Sequence, residues 1–467
     1  MMFYFMLFAY ILLLLFVSVL FRRRMQTLED FFLASRNLPA FLVFLSLAAS
    51  WLGATSILVS MDEAYRQGVS SFWVMGMPAI LTVLVFAFFL ARPIRHLPIV
   101  TLPDLVEKRY GRIVRHLSSV LIVWYMILLT SSQMVAVGSF LREFLGTSYV
   151  LGLLIGTSIV LIYSIFGGFF SVVVTDGFQF FLIIVGAASI FFLMSSASSF
   201  KDIPFLAAEL GKEGYFQFFF DIKRNFLICL SFTMAWIISP IVWQRIQAAR
   251  TEKKAQQGLY AAAGTFFLYY VCIVFIGMLS LSLFPSGVHE GPILSAVMLL
   301  KPGTIPSGII FVAVMAAVMS TMDTAINTGA MSLTRDIYQE IFHYGRKDNI
   351  VSVSRWATFI VGACAFLVAT KFQSILIMLG LSSEIMAEGL FIPGIAMIFL
   401  KKKYPMAGIL SLVLGGGYAI FGFFCQARII PINWPEWPFS VPYGLGLSMV
   451  GFGAGIMIDK IRVETPQ

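Results

Sequence analysis

Apolar runs of about 20 residues recur from one end of the chain to the other, separated by short polar segments. A helix needs about 20 residues to cross the hydrocarbon core of a bilayer. The 467 residues are 59% hydrophobic and 12% charged, roughly half the charged fraction of a soluble globular chain. The sequence therefore excludes a soluble enzyme, a nucleic-acid-binding protein and a disordered scaffold. It predicts an all-α polytopic membrane protein.

The spacing of the apolar runs predicts thirteen membrane spans. Their boundaries lie near 3–21, 41–61, 71–91, 117–140, 148–166, 170–196, 225–243, 258–284, 307–331, 352–370, 374–399, 405–425 and 440–458. An odd number of spans places the two termini on opposite sides of the bilayer.

The distribution of basic residues predicts the orientation. With the N-terminus outside, the predicted cytoplasmic segments hold 23 of the 32 Lys and Arg residues and the outer segments hold 9. Lys and Arg collect on the cytoplasmic side of membrane proteins. Three arginines (22–24) follow the first span and no basic residue precedes it, which favours a reversed signal anchor over a cleavable signal peptide. We expect a plasma (inner) membrane protein with its N-terminus outside and its C-terminus cytoplasmic.

Two spans contain helix-breaking or helix-weakening residues. The second span is rich in small residues, including Ala49 and Gly53, and the seventh contains Pro240. These spans are five apart and run in opposite directions, as expected for an inverted repeat of five plus five helices. The alternative is that the small residues only allow helices to pack closely.

The ninth span carries Ala317, Ser320 and Thr321 at i, i+3 and i+4, so the three residues share one helical face. Two hydroxyls and nearby backbone carbonyls would form a cage of neutral oxygens suited to a dehydrated monovalent cation. The alternative is that each hydroxyl only bonds to the carbonyl one turn earlier. Asp323 and Thr324 extend the polar stripe.

Four carboxylates fall inside predicted spans: Asp176, Asp323, Glu384 and Glu388. Ionisable residues at this depth are paired, protonated or bound to an ion. We expect too few intramembrane Lys and Arg residues to pair with them all. Structural hydrogen bonding, ion or proton coupling, and contact with a substrate all remain open. The four histidines show no metal-ligand spacing, and no hydrolase or phosphate-loop motif is present, so we expect no enzyme.

Five stretches resemble the sodium/solute symporter family, which includes sodium-coupled proline, pantothenate, sialic-acid and galactose transporters. They are DFFLASRNLPAFLVFLSLAASWLGATS (30–56), TLPDLVEKRYG (101–111), IFGGFFSVVVTDGFQ (165–179), WQRIQAARTEKKAQQG (243–258) and VMSTMDTAINTGAMSLTRDIY (318–338). The resemblance implies a ten-helix core over 41–400, in inverted repeats of about 41–196 and 225–399. One helix and a loop (1–40) would precede the core, and two helices with a short tail (401–467) would follow it.

The resemblance also implies sodium as the coupling ion and no other metal or cofactor. Sodium would be held by backbone carbonyls of Ala49, Leu52 and Ala317 and by hydroxyls of Ser320 and Thr321. Some members bind a further sodium ion. Here Asp176 and Thr324 match that second site, but Asp323 stands where a serine is usual, so the three residues are a candidate second cation or proton site.

The substrate pocket implied by the resemblance lies between the two broken helices. Its candidate residues are Trp51, Thr55, Met75, Gln133, Phe232, Trp236 and Glu384. Met75 and Phe232 are apolar where the sugar transporters have hydrogen-bonding side chains, and a sugar would leave hydroxyls unpaired there. We expect a small zwitterionic solute such as a proline-like amino acid, and next a short organic acid.

The resulting hypothesis is sodium-coupled symport by alternating access, with a solute, sodium and the lipid bilayer as partners. Proton coupling is the alternative within transport. A membrane sensor or receptor built on the same core is the alternative outside it; we expect no fused kinase because the chain ends about nine residues after the last predicted span. The sequence leaves the oligomeric state open.

Overall fold

The computed structural model describes residues 2–21, 36–97, 101–197, 199–285, 292–300, 303–342, 350–400 and 402–464. These residues form helices joined by short loops, and they contain no strand beyond an isolated bridge between Leu38 and Ala249. This confirms the all-α prediction for the described part of the chain.

The α-helices of the first half are α1 (Met2–Phe21), α2 (Ala40–Trp51), α3 (Ala54–Gln67), α4 (Gly76–Val85), α5 (Ala91–His96), α6 (Leu102–Tyr110), α7 (Arg112–Leu145), α8 (Tyr149–Ala197) and α9 (Ile203–Glu209). Short 3-10 segments cover Gly68–Trp73 and Phe200–Asp202, and a π segment covers Phe86–Leu90.

The second half comprises α10 (Ile222–Ile237), α11 (Pro240–Ala248), α12 (Glu252–Leu283), α13 (Ile293–Leu299), α14 (Ile305–Met331), α15 (Ile350–Ala369), α16 (Ile375–Glu384), α17 (Phe391–Phe399), α18 (Pro405–Ser411), α19 (Gly417–Gln426) and α20 (Val441–Glu464). π segments cover Ser332–Phe342, Ile385–Leu390 and Leu412–Gly416.

In the described residues, nine helical stretches are long and apolar enough to cross a membrane, or ten when the bent pair α10–α11 counts as one span. Three shorter apolar helices add to these: Phe5–Leu14, Ala40–Trp51 and Tyr149–Ile162. The multi-pass architecture is therefore confirmed. The number thirteen stays a prediction, because several predicted spans are divided or joined.

The turn expected at 167–169 is absent, because α8 continues as helix through these residues. Its 49 residues would extend about 74 Å at about 1.5 Å per residue, more than twice the thickness of a hydrocarbon core. The spans predicted at 148–166 and 170–196 are thus joined by helical backbone rather than by a turn. Gly167 and Gly168 lower the helix propensity of this segment without forcing a break.

Both predicted helix breaks are present. Helix α2 ends at Trp51 and α3 begins at Ala54. Helices α10 and α11 bend by 43° around Pro240, which lacks the amide hydrogen needed to continue the earlier helix and suits the first turn of the next one. The interior of the protein supplies partners for the backbone groups released at such breaks.

Helix α14 lies at the centre of the molecule, where it packs against α7, α8 and α15. In the most apolar part of Ile305–Glu340, which contains α14, 89% is buried inside the protein. The corresponding share for the last helix, α20, is 33%. The polar face of α14 therefore contacts other helices rather than lipid, and the break between α2 and α3 lies directly against it.

Candidate functional site

The hydroxyls predicted to bind an ion lie between α14 and the broken helix. Ser320 Oγ donates to the carbonyl of Ala49 at 2.9 Å and to that of Ala317 at 3.0 Å. Thr321 Oγ1 donates to the carbonyl of Ser50 at 2.9 Å and lies 3.4 Å from that of Ala317. All of these residues are buried. The bonds to Ala317 lie within α14, as expected if each hydroxyl only bonds to the carbonyl one turn earlier. The bonds to Ala49 and Ser50 instead join α14 to α2.

Leu52 lies at the break itself, where its amide donates to the carbonyl of Ala48 and completes α2. The carbonyl that contacts Thr321 belongs to Ser50, which sequence reasoning did not select as a ligand. Its position next to the predicted Ala49 was the only signal available. Four of the five predicted residues are therefore directly connected, and the fifth is their neighbour.

Gly53 allows the broken helix to approach α14 this closely. A Cβ at this position would overlap the Thr321 hydroxyl and would lie 3.3 Å from the carbonyl of Ala317. The cluster consists of two hydroxyls and three carbonyls, all neutral oxygens. Oxygen-only ligand sets favour hard cations, so the cluster fits sodium.

The second candidate cation site contains an arginine that the sequence analysis did not place there. Arg245 is fully buried, and its Nη2 lies 3.6 Å from Asp176 Oδ2. Nη2 also donates to Ser50 Oγ at 2.7 Å and to Thr324 Oγ1 at 3.2 Å. Asp176 therefore has a basic partner, whereas the sequence predicted only that intramembrane Lys and Arg residues are too few to pair with all four carboxylates. The cation beside Asp176 and Thr324 is a guanidinium of the protein itself.

Asp323 is also fully buried, and it interacts electrostatically with Arg245. Asp176 accepts further hydrogen bonds from Ser46 Oγ at 2.8 Å and Ser50 Oγ at 3.4 Å. One arginine thus faces two carboxylates. Ser50 connects this charged cluster to the neutral oxygen cluster, because its hydroxyl contacts Arg245 and its carbonyl contacts Thr321.

A small cavity of about 40 Å³ lies beside the oxygen cluster. Five of the seven predicted substrate residues line it: Trp51, Thr55, Met75, Gln133 and Trp236. Thr321 of the oxygen cluster lines it too. This volume holds only water-sized molecules, so a solute of several heavy atoms needs the walls to move apart.

Two predicted substrate residues do not line this cavity. Phe232 stacks on Trp236 with ring centres 5.2 Å apart and nearly parallel planes, so it supports the cavity wall from behind. Glu384 accepts a hydrogen bond from Ser440, next to α20. The structure therefore does not bring Glu384 to the other candidates.

Sequence reasoning missed several cavity residues, among them Tyr125, Ser239 and Tyr270. Ser239 precedes Pro240, so the predicted break was a signal for it. The two tyrosines lie within long helices, α7 and α12, where no local pattern marks the face that meets the cavity.

Gln133 supplies the cavity with polar atoms. Its Nε2 lies 3.4 Å from Thr55 Oγ1 and 3.3 Å from Ser132 Oγ. Its buried Oε1 has no hydrogen-bond partner among the described residues. A buried amide oxygen without a partner is costly, so a solute that donates a hydrogen bond here would relieve this cost.

A larger cavity of about 480 Å³ lies further along α3. Charged side chains line it, including Asp62, Glu63, Arg66, Arg142 and Arg224. Glu63 Oε2 pairs with Arg66 at 2.7 Å and with Arg224 at 3.2 Å. This charged cavity lies at the ends of α3 and α7 and at the beginnings of α10 and α16.

The opposite end of the helices is held by ion pairs around Arg115. Its guanidinium pairs with Glu107 and lies 3.0 Å from Asp104, 3.5 Å from Asp336 and 3.5 Å from Glu340. These contacts join α6, α7 and the π segment that follows α14. The charged cavity therefore lies at one end of the helices, and the ion pairs around Arg115 join the helices at the other end.

A family model described as the sodium:solute symporter family matches residues 31–416. The chain is 25% identical to the sodium/glucose cotransporter of Vibrio parahaemolyticus, over 95% of this chain and 87% of that protein. It is 22% identical to the sodium/proline symporter of Staphylococcus aureus, over 78% and 75%.

A solved structure of a sodium-coupled sialic acid symporter, in a substrate-bound outward-open state, has a similar fold. It aligns with a TM-score of 0.80 at 20% identity and covers 99% of this chain and 98% of that one. At this identity the likeness concerns the fold.

Proposed function

Because the chain belongs to the sodium:solute symporter family, we propose that it is a secondary active transporter that carries a small organic solute together with sodium by alternating access. The observation that carries this proposal is the position of Thr321. Its hydroxyl belongs to the oxygen cluster, and its side chain lines the cavity. An ion bound to this residue thus changes the wall against which a solute would bind.

The proposed sodium ligands are the carbonyls of Ala49, Leu52 and Ala317 and the hydroxyls of Ser320 and Thr321. Sodium would hold the α2–α3 break against α14 and stabilise the form that is open at the charged cavity. An ion shifts a conformational equilibrium only by its difference in affinity for the two forms. At −100 mV each positive charge carried inward adds about 2.3 kcal/mol of driving force.

We propose that one sodium ion, rather than two, accompanies the solute. Arg245 supplies a positive charge next to Asp176 and Thr324, where the second cation would bind. A sodium ion there would have to compete with a buried guanidinium that is already hydrogen-bonded to Ser50 and Thr324. Sodium activation should therefore follow a Hill coefficient near one.

The proposed solute is a small zwitterion such as a proline-like amino acid, with a short organic acid as the second candidate. The cavity wall is largely aromatic and apolar, with Trp51, Met75, Trp236 and Tyr270 among its members. Gln133 and the hydroxyls of Thr55 and Ser239 supply few polar contacts. A sugar would leave several hydroxyls unpaired against such walls.

The proposed topology keeps thirteen spans, with the N-terminus outside and the two repeats over about 41–196 and 225–399, and it requires the helical backbone of α8 to bend between its two predicted spans. The corresponding breaks in α2–α3 and α10–α11 support the repeat. In this orientation the charged cavity faces outward, and the ion pairs around Arg115 close the cytoplasmic side.

Proton coupling is the second candidate, because Asp176 and Asp323 are buried close to the oxygen cluster and face one arginine. A thermal-shift screen of the purified protein separates the two. It would present amino acids, organic acids and sugars in sodium and in potassium, at several pH values. Stabilisation by a solute only in sodium supports sodium symport, whereas stabilisation that ignores sodium and follows pH supports proton coupling.

A further inference from the structure

The two glutamates that the proposed transport cycle leaves unused, Glu384 and Glu388, lie one turn apart near the middle of a membrane span. They are the tenth and fourteenth of the 25 residues of Ile375–Phe399. Glu384 ends α16, and Glu388 lies in the π segment Ile385–Leu390. Glu384 is 2% exposed and Glu388 is 0% exposed.

Both carboxyl groups face the C-terminal helices rather than the solute cavity. Ser440, just before α20, donates a hydrogen bond to Glu384. A Cβ at Gly444 of α20 would overlap the carboxyl group of Glu388, and a Cβ at Gly415 would overlap its backbone carbonyl. We call this contact between the π segment and α20 the glutamate seam.

Within the described residues, the structure shows no cation that compensates this pair. The ion pairs of the described residues involve neither Glu384 nor Glu388. Neither oxygen of Glu388 has a hydrogen-bond partner among the described residues. Two neighbouring carboxylates inside a protein cannot both stay ionised without such partners.

The other ionisable groups on the packed helices do not replace that cation. Tyr418 of α19 is a titratable neighbour of the pair. The nearest basic residues on α10 lie at its far end, where Arg224 pairs with Glu63 and Lys223 lies over the ring of Phe439. On α7, Arg115 and Arg142 are paired with their own acids, and on α20 Asp459 accepts from the amides of Met406 and Ala407.

We infer that Glu384 and Glu388 form a proton-binding site at the glutamate seam, separate from the sodium cluster. A proton is the ligand that this geometry favours, because Gly444 lies against the Glu388 carboxyl group and Ser440 is hydrogen-bonded to Glu384, so both carboxyl groups contact protein directly. A dehydrated metal ion needs several converging oxygens around it, and the described residues contain no group of three or more His, Cys, Asp or Glu side chains that could hold one.

Proton occupancy is coupled to the packing of the seam. Loss of the proton places a second negative charge between two helices that touch through glycine, so it loosens α20 from the π segment. π segments are frequent at functional sites, and this one connects the wall of the proposed outer opening, at Ile375–Ile377, with α17. The site thus makes the stability of the seam depend on pH, and this dependence does not require sodium.

The sign of the effect follows from the charge. The protonated pair is compatible with the seam, so the seam's contribution to stability is present at acid pH and is lost as the pH rises. In the unfolded chain both carboxyl groups ionise in water at their ordinary acidic pH. Between that pH and the pH at which the folded pair loses its proton, the folded protein binds one proton more than the unfolded chain, so its stability falls as the pH rises.

The test measures Tm of the purified full chain from about pH 6 to about pH 9, in potassium and without solute. Glu388→Gln and Glu384→Gln each remove the ionisable group and keep the shape of the side chain. As the pH rises across this range, Tm of the wild type should fall relative to Tm of Glu388→Gln by at least about 3 °C. Glu436→Gln, at an exposed carboxyl of the loop before α20, is the matched control and should run parallel to the wild type.

Two results would overturn the proton site. One is a set of parallel curves for the wild type and both variants. The other is suppression of the alkaline loss when sodium replaces potassium in protein that also carries Thr321→Ala, which would mark the seam as a sodium site. The inference rests on the transporter fold but not on the identity of the solute. A failed solute screen and a failed Tm comparison are therefore distinguishable results.

Discussion

At the scale of single residues, the proposed sodium coupling depends most on the two hydroxyls of α14. Ser320 and Thr321 each reach across to a carbonyl of the broken helix, so each is predicted to contribute to sodium affinity. Ser320→Ala and Thr321→Ala should each raise the sodium concentration for half-maximal uptake by roughly tenfold, equivalent to about 1.4 kcal/mol. Sodium titration of uptake in proteoliposomes measures this.

Thr328→Ala is the matched control for these substitutions. Thr328 lies two turns further along α14, and among the described residues its hydroxyl bonds only to the carbonyl of Thr324 within its own helix. Its removal should leave the sodium dependence unchanged. Unaltered sodium dependence in both Ser320→Ala and Thr321→Ala would show that sodium binds elsewhere.

Arg245 and Asp176 form a fully buried ion pair, and removal of Arg245 leaves two buried carboxylates, Asp176 and Asp323, without this cation. Arg245→Met should destabilise the protein by about 3–5 kcal/mol. Asp176→Asn alone should also be destabilising, and the double variant should be more stable than the sum of the two single effects predicts. Chemical denaturation of the four proteins, analysed as a double-mutant cycle, gives the coupling energy. Additive effects would mean that the two side chains do not interact.

Sequence reasoning selected four of the residues that form the oxygen cluster but missed the arginine, and the reason is local geometry. The predicted seventh span ended at 243, which put Arg245 in a cytoplasmic loop. In the structure α11 continues to Ala248 after the 43° bend, and the bend carries Arg245 inward. Glu384 was assigned to the pocket because the family resemblance implies that its span lines the pocket. Its direction depends on helix packing that no local pattern encodes.

At the scale of elements, the break between α2 and α3 is predicted to act through its distance from α14. Gly53→Ala adds a methyl group that would overlap the Thr321 hydroxyl. Overpacking of this kind costs about 1–3 kcal/mol, and it should weaken sodium binding as well as stability. Thermal denaturation in sodium and in potassium measures both effects.

Gly264→Ala in α12 is the control for that substitution, because a Cβ there meets no atom within 4 Å. It should leave sodium binding unchanged and should not lower Tm, since Ala favours a helix over Gly. Equal behaviour of the two variants would contradict the close contact between Gly53 and α14.

The two helix breaks were predictable from the sequence, because Gly53 and Pro240 act locally on the backbone. The continuous α8 was not, because helix formation through 167–169 depends on what surrounds it.

At the scale of the whole molecule, the structure has a charged cavity at one end and ion pairs around Arg115 at the other. Arg115→Gln removes the charge that holds Asp104, Glu107, Asp336 and Glu340 together. The closed end should open more often, and hydrogen exchange of the amides in α6 should accelerate. Because sodium is proposed to favour the form closed at this end, the variant should also need more sodium for half-maximal stabilisation.

Arg92→Gln is the control for this prediction. Arg92 is 77% exposed, so its ion pair with Glu252 is surrounded by solvent and contributes little. Hydrogen exchange in α6 should match the wild type in this variant. Equal exchange in Arg115→Gln and Arg92→Gln would show that the ion pairs do not hold this end closed.

The most direct test of sodium-coupled transport is solute uptake into proteoliposomes under an imposed sodium gradient. The solute would be the one that stabilises the purified protein in the thermal-shift screen. The account predicts accumulation that requires an inward sodium gradient, increases with an inside-negative potential and follows a Hill coefficient near one for sodium. Accumulation driven equally well by a pH gradient in potassium alone would contradict it.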